Sequence, residues 1–194
     1  VQSFERKFEP QDPDIRNNIS EFSATLIQQI DTMSDIASAF ATYAKLPEQN
    51  VVTVELVETI RRTIEVFDAP FIKFSGPDHG VTFGFDKNQL NRIVTNLIKN
   101  SLQSLQQNHT PNPEIKISLE DNESLVILRV EDNGPGISKE LRSRVFEPKF
   151  TTKTKGMGLG LAMVKTIVLS YGGRIEIFEP EGGGVGFVMQ FPKA

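Results

Sequence analysis

The sequence predicts an α+β sandwich, in which helices cover one face of a largely antiparallel sheet. Most of its candidate strands are joined by turns too short for a helical crossover. Its helical patterns come in separate groups instead of alternating regularly with strands. With 38% hydrophobic and 24% charged residues, the chain can bury a core and is not disordered.

The first elements differ in style from the rest. Residues 14 to 45 contain no glycine or proline. Apolar residues recur there at Ile15, Ile19, Phe22, Leu26, Ile30, Met33, Ala37, Phe40 and Ala44, mostly in steps of three and four. That is the spacing of a helix burying one stripe against partner helices. Asp12 and Asp14 suit its N-terminus and Pro47 marks its end. Val1, Phe4 and Phe8 look like the last turns of a preceding helix, with Pro10 and Pro13 in the turn between. One long helix and a stub cannot bury a core alone, so residues 1–48 are expected to be part of an antiparallel hairpin that dimerises into a bundle.

Residues 49–194 read as the sandwich. Strands are expected at Val51–Val54, Phe71–Phe74 and Val81–Phe85, with a helix at Leu56–Phe67 and a Gly76-Pro77 turn between the second and third strands. Asp86 or Asn88 can cap a helix running from 88 to about 107. Ile115–Leu119 and Leu125–Val130 form a hairpin around Asp121-Asn122. A glycine-rich region leads into a helix from about Met157 to Tyr171, and Arg174–Phe178 and Gly186–Phe191 close the chain as strands.

Composition narrows the chemistry. No apolar run approaches the ~20 residues of a membrane span and no leader pattern opens the sequence, so the stretch is expected to be cytoplasmic. That leaves open a membrane anchor elsewhere in a longer protein. The absence of cysteine removes disulfides and thiolate sites, and a net charge of −4 gives no electrostatic reason to expect nucleic acid. Any chemistry falls to carboxylates, amides, glycines and lysines.

Three stretches carry it. The helix from 88 to 107 has an apolar face of Leu90, Ile93, Val94, Leu97, Ile98, Leu102 and Leu105. Beside that face runs an uncharged polar stripe of Asn96, Asn100 and Gln103. Mid-helix asparagines are mediocre helix formers, and amide oxygens are hard neutral ligands suited to Mg²⁺; simple exposed amides are the alternative. Next, Asp132-Asn133-Gly134-Pro135-Gly136-Ile137 follows an apolar strand. Its carboxylate suits an exocyclic amine and its glycines permit close backbone approach, although an ordinary turn reads the same way. Last, Lys153-Thr154-Lys155-Gly156-Met157-Gly158-Leu159-Gly160-Leu161 opens an apolar helix. Its backbone N–H groups, the helix dipole and two lysines favour an anion.

In this order, Asn-x-x-x-Asn, Asp-x-Gly-x-Gly, Phe-Glu-Pro-x-Phe-Thr-Thr-Lys and Gly-x-Gly-Leu-Gly-Leu resemble the N, G1, F and G2 boxes of two-component sensor histidine kinases. Gly182-Gly183-Gly184-Val185-Gly186-Phe187 is similar to the terminal glycine box, with Val185 where threonine is common. The match spans roughly residues 50 to 194 and is most similar to the nitrogen-regulation sensor kinase branch. The resemblance implies the Bergerat α/β sandwich shared with gyrase, Hsp90 and MutL, and Mg-ATP as substrate. By the same resemblance Asn100 ligates Mg²⁺ and Asn96 beside it positions phosphate. Asp132 accepts from the adenine amino group, while Gly134, Gly136 and Ile137 shape the adenine pocket. Residues 138 to 156 form an ATP lid anchored by Phe146 and Phe150, from which Lys153 and Lys155 reach the phosphates, with Thr152 and Gly156 beside them in the nucleotide-binding set. Gly158, Leu159, Gly160 and Leu161 present the N-terminus of a helix to the phosphate tail. Gln103 replaces a lysine common in relatives, and Lys149 a usual aromatic.

The resemblance implies transfer of the ATP γ-phosphate to a histidine, relay to a response regulator receiver domain, and a homodimer through the helical hairpin. The phosphoacceptor box His-Glu-x-x-Asn-Pro does not occur here, and His79 and His109 lie in loop sequences. The expectation is a piece beginning just after the phosphoacceptor, which binds ATP and ADP without phosphorylating itself. Hydrolysing relatives place a general-base glutamate where Asn96 stands, and an amide cannot take a proton. This disfavours a GHKL ATPase or anti-sigma-type serine kinase. The intact motif set disfavours a non-catalytic nucleotide-binding module.

Overall fold

The computed structural model describes residues 49–151 and 158–193, together with Ile19, Phe22, Ser23, Thr25, Leu26 and Ile30. The chain divides into two units, Val1–Pro47 and Glu48–Ala194. In the first, the six described residues are helical, and Ile19, Leu26 and Ile30 expose their apolar side chains. The remainder of the long helix expected from 14 to 45, and the stub before it, lie outside the described residues.

The second unit runs β1 (Val52–Glu55), α1 (Leu56–Glu65), β2 (Ile72–Ser75), β3 (Thr82–Phe85), α2 (Lys87–Gln107), β4 (Ile115–Asp121), β5 (Leu125–Asp132), α3 (Lys139–Arg142), α4 (Gly160–Ser170), β6 (Arg174–Phe178) and β7 (Val185–Pro192). Strand order in the main sheet is β2-β4-β5-β7-β6. Only β2 and β4 pair in parallel; the other neighbours are antiparallel. β2 and β3 are adjacent in the chain across Gly76-Pro77 but do not pair. β3 pairs instead with β1 in a separate two-stranded ribbon. α3 went unread in the sequence because one helical turn is too short to show a period.

Period-2 alternation explains how the sheet meets its helices. Ile115, Ile117 and Leu119 of β4, Val126, Leu128 and Val130 of β5, and Val185, Phe187, Met189 and Phe191 of β7 form one buried face. On that face pack Ile60 of α1, Ile93, Val94, Leu97 and Ile98 of α2, and Val164, Ile167 and Val168 of α4. Leu102, expected on the buried face of α2, is only partly buried. Asp86 caps α2, its carboxylate accepting from the N–H groups of Asn88 and Gln89. α4 begins at Gly160, with Leu159 as its N-cap, and so starts later than the glycine-rich sequence suggested. Among the described residues no helix is long and apolar enough to cross a membrane.

Candidate functional site

Alternation along β5 carries past Val130 and places Asp132 on the core-facing row. The last inward position of this strand is thus a carboxylate, 4% exposed, beneath α2. A buried carboxylate needs donors, and two are supplied. The Ser101 hydroxyl donates to Oδ2 at 2.6 Å, and the Gly134 N–H donates to Oδ1 at 3.0 Å. Both oxygens are therefore oriented, and each keeps a further lone pair for a ligand's donor. Ser101 was missed in the sequence, where it reads as a small spacer on the apolar face of α2. A hydroxyl on such a face requires a buried partner, and that requirement was the available signal.

The loop after β5 is shaped by close contacts that only glycine permits. A Cβ on Gly134 would stand 2.9 Å from Asp132 Oδ1 and 3.2 Å from Ser104 Oγ. Gly136, at φ +78°, runs against the carbonyl of Gly184, and Gly184, at φ +98°, against the carbonyl of Asp132. Gly184 thus closes over the Asp132–Gly136 loop. Asn133 fastens the loop's outer side, accepting from the Glu114 N–H at 2.8 Å and donating to the Asn112 carbonyl at 2.9 Å. Ile137 packs partly buried against the core.

Asn96 and Asn100, both half-buried on α2, face the start of α4. The Asn96 Nδ2 donates to the Arg92 carbonyl at 2.8 Å, which turns its Oδ1 outward. A Cβ on Gly160 would lie 2.8 Å from that Oδ1 and 4.0 Å from Asn100 Nδ2. The amide stripe and the glycine-bearing helix N-terminus are therefore neighbours. Gly158, at φ +64°, packs on the backbone of Lys149 and Phe150, and its carbonyl accepts from the Lys149 N–H at 2.9 Å. Leu159 is half-buried, and Leu161 packs partly buried against the core.

The first part of the expected lid is anchored. Arg142 of α3 donates to the Ile137 carbonyl at 3.0 Å and pairs with Glu179 at 3.0 Å. Phe146 sits edge-on to Phe187 at 6.4 Å, with the Lys165 ammonium 5.5 Å from its ring centroid. The Arg144 guanidinium covers Phe150 at 4.6 Å. Thr152, Lys153, Lys155 and Gly156 lie outside the described residues. His79 is exposed between β2 and β3, and His109 is exposed just past α2 at φ +48°. Among the described residues no group of three His, Cys, Asp or Glu side chains could hold a metal.

The described residues bring together one buried acceptor, a pair of amides and a glycine-lined helix start around α2, β5 and α4. Residues 85–194 match the family model described as histidine kinase-, DNA gyrase B-, and HSP90-like ATPase. An NtrY-like sensor histidine kinase of Rickettsia conorii is 31% identical over 183 residues, covering 92% of this chain and 30% of that protein. The nitrogen regulation protein NtrY of Azorhizobium caulinodans is 28% identical, covering 95% of this chain and 25% of that protein. The chain thus spans less than a third of the length of these curated relatives. A solved catalytic domain of histidine kinase ThkA superposes with a TM-score of 0.66 at 30% identity, covering 74% of this chain and 96% of that one. A structure of ThkA in complex with the response regulator TrrA superposes at 0.73 with 24% identity, covering 96% of this chain and 53% of that chain, a likeness of fold. The chain belongs to the histidine kinase-, DNA gyrase B- and HSP90-like ATPase family, and NtrY-like sensor histidine kinases are among its relatives.

Proposed function

We propose that this chain is the ATP-binding catalytic portion of a sensor histidine kinase, transferring the γ-phosphate of Mg-ATP to a histidine for relay to a response regulator aspartate. The observation that carries the reading is Asp132, a buried carboxylate oriented through both oxygens at the end of β5. It is set to accept from an exocyclic amine such as that of adenine, with Gly134, Gly136 and Ile137 forming the walls.

The amide pair completes the reading. Amide oxygens suit Mg²⁺, which takes few protein ligands and keeps phosphate oxygens and water. Asn100 would hold the ion and Asn96 Oδ1 would orient phosphate. The ion would supply neutralisation of phosphate charge. The chain's own residues position the nucleotide: Gly158 and Gly160 offer backbone at the start of α4, and Lys153 and Lys155 are assigned to the phosphates. Asn96 cannot act as a base toward water, which favours an acceptor that brings its own basicity, such as a neutral imidazole. Neither His79 nor His109 stands in a His-Glu-x-x-Asn-Pro box, so the target histidine is assigned outside this chain. Residues 1–48 are assigned to a dimerisation hairpin and 49–194 to catalysis; the exposed Ile19, Leu26 and Ile30 suit a helical partner in a homodimer.

Calorimetric titration of the 194-residue chain with ADP and ATP, with and without Mg²⁺, tests the site. Binding that strengthens with Mg²⁺ and drops in Asp132→Asn supports it. Unchanged affinity in that variant overturns the adenine assignment. Incubation with labelled ATP should leave His79 and His109 unmodified.

A further inference from the structure

We propose that Ser170, Tyr171 and Asp86 form a positioning hub that ties Gln49 and Asn50 to both helices of the nucleotide cleft, so that the segment entering the sandwich sets the cleft's affinity. The inference rests on the nucleotide-binding reading above.

The geometry follows from the antiparallel packing of α2 and α4. At one end of the pair, Gly160 of α4 lies against Asn96 and Asn100. At the other, α4 ends at Tyr171, which meets the first turn of α2. The two ends are separated by 11 residues of helix, about 16 Å at 1.5 Å per residue. The Tyr171 hydroxyl accepts from the Asp86 N–H at 2.9 Å and donates to Gln89 Oε1 at 2.9 Å. Its ring stacks on Phe85 with centroids 3.9 Å apart. One hydroxyl thus links the C-terminus of α4 to both the cap and the first turn of α2.

The entry segment joins the same knot. Asp86 Oδ1 caps α2 through Asn88 and Gln89, while Oδ2 accepts from the Asn50 N–H at 3.1 Å. The Gln49 Nε2 donates to Ser170 Oγ at 2.7 Å, next to Tyr171 on α4. Asp86 and Gln89 are both buried, so water competes poorly for these bonds. Residue 49 holds α4, residue 50 holds α2, and Tyr171 holds the two together. A displacement of residues 49–50 therefore acts at the C-terminal end of α4, whose N-terminal end carries Gly160 against the α2 amides. Loosening that end leaves the cleft less ordered before binding, and ligand affinity falls by the fraction of competent molecules lost.

The test is calorimetric titration of the full 194-residue chain with Mg²⁺ and ADP, well below the melting temperature of every variant. Tyr171→Phe keeps the ring stack and removes only the hydroxyl, and Gln49→Ala removes only the tie to Ser170. Each is expected to weaken ADP binding by about three- to tenfold. The double variant should be no weaker than the poorer single, because both act through one hub. Affinities equal to wild type, even with lowered melting temperatures, would reduce the knot to a structural stitch and overturn the proposal. So would losses that multiply in the double variant. A wild-type chain that fails to bind ADP would instead overturn the nucleotide-binding reading.

Discussion

Ser101 Oγ lies 2.6 Å from Asp132 Oδ2, a hydrogen bond between the residue after Asn100 and the last residue of β5. It joins the helix bearing the amide pair to the strand bearing the acceptor carboxylate. Ser101→Ala leaves Oδ2 short of one donor in a buried place. Nucleotide affinity should fall by about 1 kcal/mol, while Asp132→Asn, which replaces one acceptor oxygen by an N–H donor, should cost about 1.5–3 kcal/mol. Titration with ADP ranks the two. A larger loss for Ser101→Ala than for Asp132→Asn would contradict the assignment of the carboxylate as the direct ligand.

Gly184 and Gly182 make a paired test of the glycine box. Both have φ near +100°, so any side chain is strained at either. They differ in surroundings. A Cβ on Gly184 would fall 1.8 Å from the Asp132 carbonyl oxygen, whereas one on Gly182 meets nothing within 4 Å. Gly182→Ala should therefore cost only the backbone term, about 1–2 kcal/mol. Gly184→Ala should cost more and displace the loop beside Asp132, lowering both the melting temperature and ADP affinity. Equal melting temperatures for the two variants would show that the contact relaxes without consequence.

Legibility in the sequence followed the range of the interactions. Periodicity along one chain segment was readable: the two stripes of α2, the strand before Asp132 and the apolar helix after Gly160 all emerge from local spacing. The pairing of β3 with β1, and not with β2, was not readable, because register and partner are set between segments distant in sequence. The glycine-rich motifs pointed to a ligand site, but not to the fact that Gly136 and Gly184 touch each other. Ser101, Gln89 and Tyr171 carried the weakest local signal. Ser101 stands on the apolar face of α2, Gln89 in its polar first turn and Tyr171 at the end of an apolar helix, and only their hydrogen bonds to distant segments mark them.

Gly160→Ala separates fold from function. The new Cβ would press on Asn96 Oδ1, the end of a side chain that can swing aside. Gly160 opens α4 without a left-handed φ, so alanine adds no backbone strain there. The melting temperature should hold or rise while the amide is pushed off its orientation. Nucleotide binding in the presence of Mg²⁺ should weaken by about 1 kcal/mol, the scale of one hydrogen bond from the displaced amide. Thermal unfolding and titration on the same sample check both halves, and a parallel fall in stability and affinity would count against a local effect.

Asn100→Ala should dissociate metal from nucleotide. Removing the amide takes away the one protein oxygen assigned to Mg²⁺, but leaves Asp132 and the glycine loop in place. ADP should still bind, weakly, and the gain on adding Mg²⁺ should vanish. Equal enhancement by Mg²⁺ in variant and wild type would move the ion away from Asn100.

Tyr171 gives the stability curve an alkaline limb. Burial holds its hydroxyl above the ordinary value of 10.0, the Asp86 charge adds in the same direction, and the hydrogen bond from the Asp86 backbone opposes them. A folded-state value above the unfolded one means the folded chain retains the proton more firmly. The contribution is then fully present below about pH 10 and is lost as pH rises through the folded value. Tyr171→Phe has no proton to lose there. Its deficit in stability relative to wild type should be constant from about pH 7 to 9 and shrink above pH 10, as the wild type loses what the tyrosine adds. Urea unfolding of both proteins across that range reads the difference. Curves that stay parallel to about pH 11 would mean that the hydroxyl ionises in the folded chain as readily as in the unfolded one.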